Sequence, residues 1–127
     1  MHETMPFTAV IGATAMAAAP EEVRVRVAYD ASRCTTGGLL HGGLLMALAD
    51  SVGGWCAALN LPTGASTATI ESKTNFLRAA RTDVEAVGRP LHVGRTVIVI
   101  DTEIRGDDGR LVARVTQTQA VLGGPSS

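Results

Sequence analysis

One long apolar segment with a single charge constrains this chain more than any other feature. Between Arg33 and Glu71 the only formal charge is Asp50, which ends the run HGGLLMALAD at residues 41–50. The pattern predicts a helix from about residue 41 to residue 60, ended by the breaker cluster LPTG that follows. A carboxylate alone in an apolar helix is costly to bury unless it is hydrogen-bonded or used in chemistry. Asp50 is therefore the first candidate for a functional residue.

The predicted helix has two unlike faces. At about 100° per residue, its large apolar side chains fall within a sector of roughly 120° that is expected to pack on a sheet. This sector contains Leu44, Leu45, Leu48, Val52, Trp55, Cys56 and Leu59. Asp50 lies opposite, among mostly small residues where an exposed helix would carry Lys, Glu or Gln. Those residues are Met46, Ala47, Gly53, Gly54, Ala57 and Ala58.

Two explanations of the small-residue face remain open. The face meets a second subunit, or a ligand between subunits. Alternatively, the N-terminal segment of the same chain covers it, and Asp50 bonds to a nearby backbone N–H. Separately, free N–H groups at the start of the helix, after His41, can hold an anion, and this is a reason to suspect chemistry near Asp50.

The rest of the chain is typical of an antiparallel sheet. Residues 21–29 alternate, with valines on one face and Glu and Arg on the other. Four more strands are predicted at residues 66–78, 82–92, 94–105 and 110–122. The remaining segments are a small helix at 9–19, a loop at 30–40 and a loose tail at 123–127. The order predicts one α+β domain over residues 1–127, with an antiparallel sheet against one main helix.

Composition excludes several classes of function. The net charge is −1, no basic block is present, and four aromatic residues offer little to stack on bases, so nucleic acid is not an expected partner. Cys34 and Cys56 are too few for a disulfide framework and are expected to be reduced core thiols. No Lys or Arg precedes Arg24, so the basic start of a signal peptide is missing and a cytoplasmic location is expected.

The apolar segment at residues 36–61 could be mistaken for a membrane span, which needs about 20 such residues. However, it contains His41, Asp50 and Asn60 and lacks basic flanks. No membrane partner is therefore expected.

Taken together, these motifs resemble the hotdog-fold acyl-CoA thioesterases, in the branch of the phenylacetate-degradation and 4-hydroxybenzoyl-CoA thioesterases. The resemblance extends from about residue 21 to residue 122. It rests on HGG at 41–43 with an acid at 50, and it includes NFLRAA at 75–80, Gly94-Arg95 and DGRLVA at 108–113.

The resemblance implies a hotdog fold, in which the antiparallel sheet wraps around one long central helix. It implies a homodimer with active sites shared between subunits, and a homotetramer built from such dimers. The substrate would be an acyl- or aryl-CoA thioester, with coenzyme A as part of the substrate and with no separate cofactor or metal.

The resemblance also implies roles for the residues around the helix start. Asp50 matches the catalytic acid, which either attacks the thioester carbonyl or activates a water as general base. Gly42 matches the residue whose backbone N–H polarises the thioester oxygen. His41 matches a histidine near the thioester, and a capping or packing role is the alternative for it.

Two threonines matter for the support of the acid. Thr69 corresponds to a Ser/Thr position that in some relatives helps to hold the water from the opposite subunit; otherwise it is an ordinary strand residue. Thr35 stands where relatives commonly carry Asn or Gln to orient the acid or the water. A hydroxyl lacks the reach of an amide, so Thr35 puts the catalytic efficiency in question.

Arginines are the candidates for binding the phosphates of coenzyme A, because the guanidinium group fits phosphate geometry. Arg81 and Arg95 are the first choices, followed by Arg78 and Arg89; the alternative for each is a solvated charge at a strand end. Gly43 is grouped with the substrate-binding residues.

Three functions are compatible with the sequence. The first is an acyl-CoA thioesterase. The second keeps the fold without turnover, as an acyl-CoA-binding protein, and Thr35 motivates it. The third is dehydration of a hydroxyacyl thioester with a histidine base, for which His92 is the only other histidine in the sheet region.

Overall fold

One long helix packs on a six-stranded antiparallel sheet. The computed structural model describes residues 1–124. Its elements are α1 (Phe7–Val10), β1 (Ala13–Ala19), β2 (Glu22–Val27), α2 (Gly42–Leu59), β3 (Ala65–Phe76), β4 (Val84–Val93), β5 (Val97–Gly106) and β6 (Leu111–Gly123). Two 3-10 turns, Ala31–Arg33 and Thr36–Gly38, lie in the loop before α2. Of the predicted tail, Gly123 ends β6 and residues 125–127 lie outside the described residues.

The strand order in the sheet is β1-β2-β4-β5-β6-β3, and every neighbouring pair is antiparallel. Helix α2 contacts all six strands. The predicted α+β class, with an antiparallel sheet around one central helix, is confirmed. The edges of the sheet are β1 and β3.

The alternation of β2 decides which face of the sheet is buried. Val23, Val25 and Val27 are at most 1% exposed and face α2. The intervening arginines lie on the outer face, where Arg24 pairs with Glu85 of β4 at 2.8 Å. The period-two pattern therefore predicted the buried face correctly.

The small helix predicted at residues 9–19 is wrong. Helix α1 covers only Phe7–Val10, Gly12 turns the chain at a φ of 73°, and Ala13–Ala19 form an edge strand paired with β2. Alanine has a high intrinsic helix propensity, which suggested the helix. Strand β2 offered an edge on which six of these residues find a backbone partner, and this pairing outweighed the propensity.

The helix faces were predicted only in part. Leu45, Leu48 and Val52 are buried against the sheet as expected, whereas Leu59 is 38% exposed. Gly53 and Ala57, which were assigned to the small-residue face opposite the sheet, are buried. The reason is that β3 and β6 also contact α2 and extend the buried face to that side of the helix.

Helix α2 is long and apolar enough to cross a membrane, with a mean hydropathy of 1.3, and 39% of that stretch is buried inside the structure. The core helix of a soluble protein meets the same criteria.

The two cysteines differ in their surroundings. Cys56 is buried in the core, and burial raises the pKa of its thiol to about 11. Cys34 is only half-buried in the loop before α2, so it is not the core residue that was expected. Both are free thiols.

Candidate active site

Asp50 lies on the exposed side of α2, at the edge of a cavity of about 580 Å³. The N-terminal segment forms one wall through Met5 and Phe7, and Trp55 of α2 forms another. The N-terminal segment therefore borders this face, as the second explanation expected, but Asp50 bonds to the side chains of Thr69 and Gln117 and not to a backbone N–H. An open cavity remains beside the acid, and contact with a second subunit stays a prediction.

The carboxylate of Asp50 is held through one oxygen. The hydroxyl of Thr69 donates to Oδ1 at 3.0 Å, and the amide Nε2 of Gln117 donates to the same oxygen at 2.5 Å. Among residues 1–124, Oδ2 accepts no hydrogen bond. One oxygen is thus held in place, and the other is available to act as a nucleophile or a general base.

Two buried glutamines support this arrangement. Gln117 and Gln119 of β6 are 0% and 1% exposed. The amide of Gln119 donates to the Thr69 hydroxyl at 2.8 Å, and the hydroxyl of Thr67 donates to Oε1 of Gln119 at 3.0 Å. Neither glutamine was predicted from the sequence as a site residue. The available signal was alternation in β6, which places them on the same face as the buried Val115.

A β-bulge in β3 brings Thr69 to this network. Thr69 pairs with Gln119 and Glu71 pairs with Thr118, so Ile70 is an extra residue without a partner on β6. Thr69 therefore reaches the carboxylate of its own chain, whereas the resemblance implied a role across the subunit boundary.

His41 caps the start of α2. Its Nδ1 accepts the N–H of Gly43 at 2.8 Å, and its carbonyl accepts the N–H groups of Leu44 and Leu45. In a neutral ring this assigns the proton to Nε2. Within the described chain the N–H of Gly42 has no acceptor, so this donor of the first turn is free for a ligand.

The structure does not bring Asp50 and Gly42 together in one chain. Eight residues separate them along α2, which corresponds to about 12 Å of helix. His41 and Gly43 line a second cavity of about 360 Å³, and Phe7 and Ala47 border both cavities. Within one chain, the two groups are therefore too far apart to contact the same thioester carbonyl.

Thr35 does not support Asp50 in this chain. It is exposed in the loop before α2, and its backbone N–H bonds to the carbonyl of Leu39 at 2.7 Å. The amide beside the acid comes instead from Gln117 of β6.

The candidate arginines lie at both ends of the sheet. Arg78 and Arg81 line one cavity of about 180 Å³, together with Arg110, which the sequence reasoning did not single out as a ligand. Arg95 lies in the turn between β4 and β5. It is roughly 30 Å from that cavity, the length of the ten-residue strand β5. Arg89 pairs with Glu22 at 3.3 Å.

Neither His92 nor a metal-ligand cluster joins the site within the described residues. His92 is exposed on β4 and does not line the cavity beside Asp50. In the part of the chain that the structure describes, no group of three or more His, Cys, Asp or Glu side chains could hold a metal ion.

Comparison with known proteins gives a consistent set of matches. Residues 37–113 match the Thioesterase superfamily. The solved structure of a thioesterase family protein from Silicibacter pomeroyi superposes with a TM-score of 0.90 at 28% identity, covering 97% of this chain and 93% of that chain. A thioesterase from Pseudomonas aeruginosa, solved as a mutant, superposes with a TM-score of 0.86 at 32% identity, covering 91% and 85%.

Sequence alignments add two observations. The same Pseudomonas protein is 40% identical over 91 residues, which cover 68% of this chain and 63% of that protein. The 1,4-dihydroxy-2-naphthoyl-CoA hydrolase of Escherichia coli is 36% identical over 86 residues, covering 67% and 63%. In both alignments the chain spans slightly less than two thirds of the relative's length.

Proposed function

The chain belongs to the thioesterase superfamily, and we propose that it hydrolyses an acyl- or aryl-CoA thioester to a carboxylate and coenzyme A. The solved thioesterases that superpose on it carry the same hotdog fold of sheet and central helix. The observation that carries the proposal is the Asp50 carboxylate, fixed through Oδ1 beside a cavity of about 580 Å³. The reaction needs water and no cofactor beyond the coenzyme A of the substrate.

The proposed chemistry uses the free oxygen of Asp50. Oδ2 either attacks the thioester carbon, giving an anhydride that water then cleaves, or takes a proton from an attacking water. In both routes the C–S bond breaks and coenzyme A leaves as a thiolate that is then protonated. The Gly42 N–H, at the positive end of α2, stabilises the charge on the carbonyl oxygen. His41 fixes that turn through Gly43.

An aromatic acyl group is the first to be tested. Phe7 and Trp55 line the cavity beside Asp50, and flat apolar side chains suit an aryl ring. The name of the Escherichia coli relative, a naphthoyl-CoA hydrolase, supports the same choice.

A panel of acyl- and aryl-CoA thioesters, read with a thiol-detecting dye, tests the function directly. Thiol release from at least one thioester is expected. Thr35, which stands where relatives commonly carry Asn or Gln, motivates a second candidate, an acyl-CoA-binding protein without turnover. Binding across the panel without thiol release would establish that candidate instead.

We further propose that the working unit is a homodimer with shared sites, assembled into a homotetramer. Strand β3 is an edge of the sheet, so its outer backbone groups have no strand partner in the described chain, and Ile70 is 62% exposed on it. The separation of Asp50 and Gly42 within one chain supports the same assembly, because a second chain can supply the missing half of the site.

Mixing two inactive variants tests the shared site. Asp50→Asn and Gly42→Pro chains are each expected to be inactive alone. When the two are unfolded and refolded together, each mixed dimer has one site without a substitution, and about a quarter of wild-type turnover is expected. A mixture that stays inactive, although mixed dimers are detected by mass spectrometry, would place the whole site within one chain.

The cavity between Arg78, Arg81 and Arg110 is the proposed site for the phosphates of coenzyme A. Arg81 already donates to the carbonyl of Gly37 at 3.0 Å, which holds its guanidinium at the cavity. Arg78 and Arg81 form no ion pair within the described residues. Arg110 pairs with Asp108, which also lines the cavity, at 3.8 Å, so Arg78 and Arg81 supply the guanidinium groups that are free for a phosphate. Arg95, at the other end of the sheet, stays a separate prediction.

Arg81→Ala and Arg78→Ala are each expected to raise KM for acyl-CoA about tenfold with kcat nearly unchanged, since the contacts are equally strong in the ground state and transition state. Steady-state kinetics on both variants checks this. Arg89→Ala is the matched control, because that guanidinium is paired with Glu22 and lies away from the cavity. Unchanged KM values for Arg78→Ala and Arg81→Ala would show that the phosphates of coenzyme A do not bind in this cavity.

A further inference from the structure

The side chain of Gln117 has no evident structural reason to be buried. It lies on the inner face of β6, in line with the apolar Ala113 and Val115 and with the polar Gln119, all of which are buried. Its Oε1 is buried and has no hydrogen-bond partner within residues 1–124. A buried oxygen without a partner destabilises the folded state, and most such atoms in native proteins are paired.

Gly53 of α2 faces this oxygen. A Cβ added at Gly53 would overlap Oε1 of Gln117 and lie 2.7 Å from its Cδ. Glycine in a helix interior is unfavourable relative to alanine, because it loses more conformational freedom on folding. Two residues that each lower stability therefore face each other across the contact between α2 and β6.

The contact between Gly53 and Gln117 determines where the amide nitrogen of Gln117 lies. With Gly53 opposite, the amide of Gln117 approaches closely enough to place Nε2 at 2.5 Å from Oδ1 of Asp50 and 3.2 Å from the hydroxyl of Thr69. Gln119 donates to the same hydroxyl at 2.8 Å, so the proton of Thr69 is directed to Oδ1. All these contacts converge on one carboxylate oxygen and leave the other free.

We propose that Gln117, seated against Gly53, is the positioning residue of the active site: it fixes the rotation of the Asp50 carboxylate so that Oδ2 faces the thioester. Thr69 and Gln119 hold Gln117 and Asp50 in this arrangement. The inference rests on the proposed thioester hydrolysis, and it assigns to β6 of the same chain the support that Thr35 does not give.

Replacing Gln117 with methionine distinguishes a role in positioning Asp50 from a role in stabilising the fold. Met is close to Gln in size and removes both the donor and the unpaired oxygen. Gln117→Met is expected to lower kcat by about tenfold to a hundredfold with KM within about twofold, while Tm stays equal or rises. The control is Thr102→Val, which removes a buried hydroxyl that also lacks a partner and lies away from the Asp50 cavity; it is expected to raise Tm and leave kcat unchanged.

Gln117→Glu gives a readout that a packing role would not produce. At neutral pH the new carboxylate cannot donate to Asp50 and repels it, whereas a protonated Glu donates through its O–H. The ratio of variant to wild-type kcat is therefore expected to rise as pH falls from 8 to 5. If Gln117→Met lowers Tm together with kcat, the pH dependence of the Gln117→Glu to wild-type kcat ratio decides whether Gln117 positions Asp50.

Gly53→Ala tests whether the position of the Gln117 amide depends on its contact with Gly53. Because the added Cβ displaces the Gln117 amide, kcat is expected to fall about as far as in Gln117→Met. In a Gln117→Ala background, where the amide is gone, Gly53→Ala is expected to have no further effect on kcat.

Wild-type turnover in the same assay separates the two proposals. If the wild type releases no thiol from any thioester, the proposed function fails, and the Tm comparison still reports whether Gln117 costs stability. If the wild type is active, kcat within about twofold of wild type in Gln117→Met, or a flat pH ratio in Gln117→Glu, overturns the positioning role.

Discussion

Asp50→Asn is expected to lower kcat by about a thousandfold or more, with little change in KM. The amide is not a base or a nucleophile, so both routes through Oδ2 are lost. The fold should survive, because the carbonyl oxygen of Asn can accept the same bonds from Thr69 and Gln117 that Oδ1 accepts now.

Steady-state kinetics with the best thioester of the panel, and a thermal melt of the same sample, check this expectation. The matched control is Asp101→Asn on the outer face of the sheet, where the carboxylate pairs with Arg114 at 3.0 Å and is remote from the cavity. That variant is expected to keep kcat. Wild-type turnover by Asp50→Asn would end the assignment of Asp50 as the catalytic acid.

Gly42→Pro is expected to lower kcat by about a hundredfold to a thousandfold, the usual cost of losing one donor to a developing oxyanion. Proline at the first helical position removes only an N–H that has no partner in the helix. His41 already has a φ of −61° and a ψ of 133°, which is the backbone conformation favoured before proline. The backbone therefore accepts the ring, and the N–H is the group removed.

Gly42→Ala is the control for crowding. An added Cβ would lie 3.3 Å from Cζ of Phe76, which is tight but against a side chain that can shift. This variant keeps the N–H and is expected to retain most of kcat, whereas Gly42→Pro loses it. Equal losses in both variants would mean that contact with Phe76, and not the hydrogen bond, matters at this position.

The sequence was informative where one period dominated a segment. The helix was predicted to within a residue at each end, because a capping histidine and the breaker after Leu61 bracket it. The same angular count placed Asp50 on the open side. In β2, strict alternation of valine and charged residues predicted the buried face, because each inward position is occupied by a valine.

The sequence was misleading where contacts between distant segments decided the outcome. The alanines of β1 favour a helix by propensity but pair with β2. Gly53 was assigned to the small-residue face, because the sequence around it does not show that β6 packs against that side of α2 and buries it. Gln117 and Gln119 resemble ordinary surface residues of a polar strand end, although the alternation of β6 places them on the same face as the buried Val115.

The bulge at Ile70 has a consequence for how this strand can change in length. Before the bulge the inward residues of β3 have odd numbers, and after it they have even numbers. Loss of residue 70 would leave Thr69 beside Gln119 and Ser72 beside Gln117, still facing the helix. A deletion elsewhere in the strand would exchange the inward and outward sets on one side of it. Position 70 is thus the place where evolution can shorten this edge without dismantling the network around Asp50.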